Sequence, residues 1–220
     1  MKNAALSKAL KWLFVAQLLS LVALFPMVYD LKSLLGAAAG LLTLAALVKA
    51  VREVSGYRPD LVLHVVDLVL GALSYLFARF FTAWIFGIAA ARPVSLGSSR
   101  GAIIFMAMCM ISFFFSIVIL VLGMLVLLLV CLTTAGLVDD PAVAARGIRA
   151  WKVNLICTVA VLVLTAVSLA LSVGILDMDM EKLLGLSTVV TLLSAAVQMA
   201  GRVLYLHFLW QSARCLWAAD

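Results

Sequence analysis

His64 and Asp67 stand three residues apart, a spacing that on a helix sets an imidazole beside a carboxylate. Such a pair can relay a proton or give two ligands to a metal ion. No third ligand follows, so an interfacial or structural role is the expectation and no metal is assigned. Asp177, Asp179 and Glu181 offer oxygen ligands to a divalent cation, but no glycine turn follows and the set is short of a calcium loop. A solvated cluster where a helix begins is expected there. The cysteines Cys109, Cys131, Cys157 and Cys215 are solitary, without C-x-x-C or Cys/His metal spacing, and read as buried packing thiols.

Phosphate-cradling glycine motifs, G-x-S-x-G, H-E-x-x-H and the paired acidic motifs of membrane phosphotransferases are absent from the sequence. Only His64 and His207 can serve as acid or base near neutral pH. The expectation is therefore a protein that is not an enzyme and uses no cofactor.

More informative is the way polar residues recur along apolar runs. At about 100° per residue, His64, Asp67, Gly71, Ser74, Tyr75, Ala78 and Thr82 share one face, with Arg79 at its flank. Ser187, Thr191, Ser194, Gln198, Gly201 and Tyr205 share another, flanked by Arg202, and Asn154, Thr158, Thr165, Ser168 and Ser172 make a third. Charged groups cost about 2.5 to 3.5 kcal/mol or more at the centre of a lipid-exposed helix, so these faces should point into a bundle. Two readings stay open. Hydroxyl and small residues can be packing glue, at about 0.6 kcal/mol per interhelical hydrogen bond. Alternatively the seams form a polar pathway or ligand site, for which the candidates are His64, Asp67, Ser74, Tyr75, Arg79, Thr191, Ser194, Gln198, Arg202 and Tyr205. Asp67 and Arg202 are expected at matching depth and predicted to form an ion pair.

The elements that position these residues follow from composition. The chain is 67% hydrophobic and 12% charged, with a mean hydropathy of +1.26, whereas soluble domains are roughly 45 to 50% apolar and 25% charged. A spanning helix needs about 20 apolar residues, so one membrane domain covering 1–220 is predicted, an all-α bundle of six transmembrane helices in three hairpins. The expected helices are residues 10–29, 34–51, 61–91, 102–135, 153–176 and 183–209, with an amphipathic end over 207–220 lying at the membrane surface. A short turn at 30–33 joins the first two. Gly36, Gly40 and Thr43 give a small face for close helix approach. The third helix, about 45 Å long, tilts or turns interfacial near Phe80, Phe81 and Trp84, and the charge-free fourth projects beyond the bilayer. Asp139, Asp140 and Pro141 supply an N-cap and first-turn proline to a short basic helix that leads into the fifth.

The net charge of +6 comes from Lys and Arg set singly or in pairs beside helix ends, which points to membrane topology and to no nucleic-acid partner. Lys2, Lys8 and Lys11 precede an apolar stretch without a small-x-small cleavage site, so a retained first helix is expected rather than a secretory signal. With the N-terminus cytoplasmic, ten basic residues (Lys2, Lys8, Lys11, Lys49, Arg52, Arg58, Arg146, Arg149, Lys152, Arg214) lie inside and four (Lys32, Arg92, Arg100, Lys182) outside. The positive-inside rule then sets both termini in the cytoplasm.

Trp151-Lys152-Val153-Asn154-Leu155 with the preceding Asp139-to-Gly147 stretch, the segment from Leu204 to Ala213, and a Gly56-Tyr57 turn after the second helix resemble a loose set of uncharacterised multi-pass membrane proteins of Gram-positive bacteria. The resemblance implies a bacterial cytoplasmic membrane protein and carries over no catalytic residues. Three functional classes remain, an intramembrane enzyme acting on lipid being the most distant. A small transporter component or permease-like subunit would use the seams of helices 3, 5 and 6 and need a second copy or an ATPase partner in the lipid bilayer. A scaffold, assembly or immunity-type protein would use them for packing alone.

Overall fold

The computed structural model describes residues 2–24, 29–91, 99–174 and 180–218. Among these the fold is all-helical, with α1 (Lys2–Val22), α2 (Tyr29–Glu53), a 3-10 turn (Ser55–Tyr57), α3 (Arg58–Ala91), α4 (Ser99–Ala135), α5 (Pro141–Gly174) and α6 (Met180–Ala218). Each of the six helices contains a stretch long and apolar enough to cross a membrane. The protein is a multi-pass integral membrane protein of six helices, as composition predicts.

The chain divides into two compact units, one of Met1–Leu61 with Leu127–Asp220 and the other of Val62–Val126. In the first, α1 packs against α2 and α6, and α5 packs against α6. The core of this unit is a set of helical stripes. On α1, Leu6, Ala9, Leu10, Leu13 and Ala16 are buried at spacings of three and four. On α2, Ala39, Thr43, Ala46, Leu47 and Ala50 do the same, and the Thr43 hydroxyl is satisfied by the Ala39 carbonyl at 2.9 Å. Small side chains on both stripes let the two backbones approach closely. Of the small face expected at Gly36, Gly40 and Thr43, Thr43 lies in this stripe and Gly40 is half-buried, whereas a Cβ at Gly36 would meet nothing within 4 Å. The contact surface is the alanine stripe beginning at Ala39.

Helix limits differ from expectation where packing overrides polarity. The first helix begins at Lys2 rather than near residue 10, because its basic first turns carry Leu6 and Ala9 into the core. It ends at Val22, with Ala23 and Leu24 bonded back to Leu19 and Leu21, ahead of Pro26 in the sequence. The expected turn at 30–33 is instead helical, as α2 starts at Tyr29. The short basic helix and the fifth helix are one, α5, because Gly147 does not break it. The C-terminal end is likewise continuous with α6. Its apolar face, Leu209, Ala213 and Leu216, is buried inside the unit.

In the second unit, α3 and α4 have no close backbone approach like that of α1 and α2 among the described residues. They meet through large side chains, such as Phe77 and Phe115 with ring centroids 6.2 Å apart. Val62, Val66, Val69, Leu73, Leu76 and Phe80 are exposed, as expected of side chains whose solvent is lipid.

Candidate functional site

The polar residues of α6 are placed by its contacts with α1 and α5. Gly201 faces Asn154: the Asn154 amide donates to the Gly201 carbonyl at 2.8 Å and to the Ala150 carbonyl of its own helix at 2.9 Å. A Cβ at position 201 would lie 2.8 Å from Asn154 Oδ1, so the absence of a side chain lets this bond form. One residue on, Arg202 turns to α1. Its guanidinium donates to the Ser20 hydroxyl and, at 3.4 Å, to Gln17 Oε1. Three residues further, the fully enclosed Tyr205 lies within electrostatic range of Arg202, Tyr57, Asp60 and Cys131.

Tyr57, Asp60, Cys131 and Thr134 complete the interior. The 3-10 turn brings Tyr57 against the end of α4, where a Cβ on Gly56 would already be 3.2 Å from Thr133 Cγ2. The Tyr57 and Thr134 hydroxyls share a hydrogen bond of 2.7 Å. Asp60 follows in the first turn of α3 with a relative exposure of 0%, and neither carboxylate oxygen has a hydrogen-bond partner. These are polar groups enclosed within the first unit. Gln17 and Ser20 hold Arg202, the Tyr57 and Thr134 hydroxyls hold each other, and Tyr205 and Asp60 are enclosed in the same unit. Chemically such a set can hold a charge, pass a proton or bind a small polar ligand.

The second unit holds the remaining candidates. His64 is buried and its Nδ1 lies 4.0 Å from Asp67 Oδ2, so the three-residue spacing does bring the pair together. The other carboxylate oxygen of Asp67 is buried without a hydrogen-bond partner. Ser74 is half-buried, while Tyr75 and Arg79 are exposed and engage each other, with Arg79 Nε donating to the Tyr75 hydroxyl at 3.0 Å. Asp67 and Arg202 belong to different units, and each has its own partners within its unit: His64 for one, Gln17 and Ser20 for the other.

Of the other candidates, Ser194 and Gln198 are half-buried on α6. The side chains of Thr82, Trp84, Cys109, Ser168, Ser172, Glu181, Ser187 and Thr191, with residues Asp177 and Asp179, lie outside the described residues. Cys131 is buried as expected, and Cys157 and Cys215 are half-buried. At the far end of α6, Arg146 donates to Gln211 Oε1, and Gln211 Nε2 lies 2.9 Å from His207 Nε2.

Sequence reasoning found Gly201, Arg202, Tyr205 and Asn154 from helical spacing. It missed Asp60, Tyr57 and Thr134 as parts of an interior, since Asp60 beside Pro59 reads as a residue that starts a helix. The only available signal was the three-residue spacing of Tyr57 and Asp60 in front of an apolar run. Compared with protein-family models, with curated proteins and with solved structures, the chain matches none.

Proposed function

We propose that the protein is a small transporter component, a permease-like subunit of a bacterial cytoplasmic membrane with both termini inside, working through the polar interior of its first unit. Arg202 is the observation that supports this. It is a half-buried guanidinium within a membrane-spanning stretch, and its partners among the described residues are the neutral oxygens of Gln17 and Ser20. Ionisable groups inside a span are costly, and where they occur they face a protein interior or a wet cavity. A guanidinium carries five N–H donors, more than these two partners use. The described seam residues Ser194 and Gln198 continue from it toward the N-terminal half of the helix. A second copy of the chain or an ATP-hydrolysing subunit would provide the driving force.

Single cysteines at positions 17, 20, 194 and 198 test this in a background lacking the native cysteines. Reaction of all four with a small aqueous thiol reagent in sealed vesicles is the expected result. Uniform protection would reject a pathway and favour the second reading, a non-catalytic scaffold, assembly or immunity-type protein. That alternative has one observation on its side: Asn154, the most polar residue of the α5 seam, is engaged in holding α5 to α6.

A further inference from the structure

We propose that Asp60 is a proton-binding site, an interior carboxyl group that takes up and releases a proton among Tyr57, Cys131, Thr134 and Tyr205. This goes beyond the transport reading and stands without it. Asp60 is fully enclosed, and both of its side-chain oxygens lack a donor. An ionised carboxylate in that position has nothing to replace the water it has lost.

The surrounding groups do not supply a counter-charge. The Tyr57 and Thr134 hydroxyls satisfy each other. Cys131 and Tyr205 are buried and carry no positive charge. Arg202 is engaged by Gln17 and Ser20, and Arg58, on the same turn of α3, points outward. Among the described residues, no basic group lies within ion-pair distance of Asp60.

An acid in the first turn of a helix is ordinarily explained by the helix terminus, whose N–H groups it caps. Asp140 does this for α5, accepting from the Ala142 amide at 2.8 Å while exposed to solvent. Asp60 does not cap in this way, since neither oxygen makes a hydrogen bond to an amide further along the helix and only its own backbone N–H lies near the carboxyl group. A proton on the carboxyl group removes the unmatched charge. Its route out is short, because Ser55, Gly56, Arg58 and Pro59, all within five residues, are exposed.

The test uses the purified full-length chain in lipid vesicles. Infrared spectra at neutral pH are expected to show a protonated-carboxyl band in the native protein that is lost in Asp60→Asn and that disappears reversibly as the pH is raised. Asp60→Glu should keep a titrating band. Identical spectra for native protein and Asp60→Asn would overturn the proposal.

Dicyclohexylcarbodiimide gives a readout on the native chain should the variants fail to fold. The carboxyl proton moves to a carbodiimide nitrogen, the oxygen adds to the central carbon, and acyl transfer to nitrogen leaves a stable N-acylurea on Asp60, located by mass spectrometry. Labelling that falls with rising pH, and is the same in sodium and choline salts, is expected. Protection by sodium at constant pH would overturn a proton site in favour of a metal-cation site, and no labelling of Asp60 at acidic pH would overturn it outright.

Discussion

Two aspartates stand beside prolines at helix starts within the same unit, and the order of the two residues separates them. In Asp140-Pro141 the acid comes first, stays outside the helix, and caps α5 from an exposed position. In Pro59-Asp60 the acid comes second and is carried into the first turn of α3, where it is enclosed and caps nothing. Proline fits the first turn of a helix in either case. What differs is whether the carboxylate lies before that turn, facing water, or within it, facing the interior. The same side chain is thus a structural end-piece at one site and an uncompensated polar group at the other.

The contrast breaks most sharply if charge is forced on both positions. Asp60→Lys puts an unpaired cation in the interior and should cost about 3 to 5 kcal/mol, seen as loss of folded protein in denaturant titrations in mild detergent. Asp140→Lys should retain most of its stability in the same titration. Equal losses would erase the distinction.

Next in size are two changes that probe what holds each helix start. Gly147→Ala, behind the start of α5, would place a methyl 2.6 Å from Phe208 Cε2. Because Phe208 is fully buried, overpacking should cost about 1 to 3 kcal/mol. Tyr57→Phe, in front of α3, leaves the buried Thr134 hydroxyl without its partner, at about 1 to 3 kcal/mol. Thermal melting of each purified variant checks both. Unchanged melting of Tyr57→Phe would mean that the hydroxyl pair does not secure the turn.

Loss of the cap itself is smaller. Asp140→Ala should cost about 1 kcal/mol, and Asp140→Asn, which keeps an accepting oxygen, only a fraction of that. The smallest effect is expected at the other acid: Asp60→Asn should melt within experimental error of the native protein at mildly acidic pH, where the proposed site holds its proton and the substitution exchanges one neutral group for another of the same shape. A loss of stability above that of Asp140→Ala would show that Asp60 is ionised and stabilising.

Much of the fold was legible because it depends on run length and polarity. Six apolar stretches separated by breaks such as Lys49 to Asp60 and Asp139 to Lys152 demand six helices, whatever packs on them. Helix ends were less legible, since α1 begins among lysines only because Leu6 and Ala9 find a neighbour. Helical spacing told which face of α6 is polar and so identified Gly201, Arg202 and Tyr205. It says nothing about which helix that face meets. The partners of Arg202 come from α1, where Gln17 and Ser20 stood out in no seam. Asp60 illustrates the same limit from the other side, for a residue with a sufficient local explanation hides its tertiary one.

The pairing of α1 with α6 bears on how the molecule is made. Ser7 donates to the Ala213 carbonyl at 2.6 Å, Lys11 lies over the Trp217 ring, and Phe14 meets Trp210 at 5.4 Å between ring centroids. A ribosome delivers α1 about two hundred residues before these partners. Until then the Ser7 hydroxyl, Gln17 and Ser20 wait in the membrane without the groups they will bind. The first unit is therefore completed late, by the arrival of α6, and a nascent chain stalled after α5 should remain open to membrane proteases along α1.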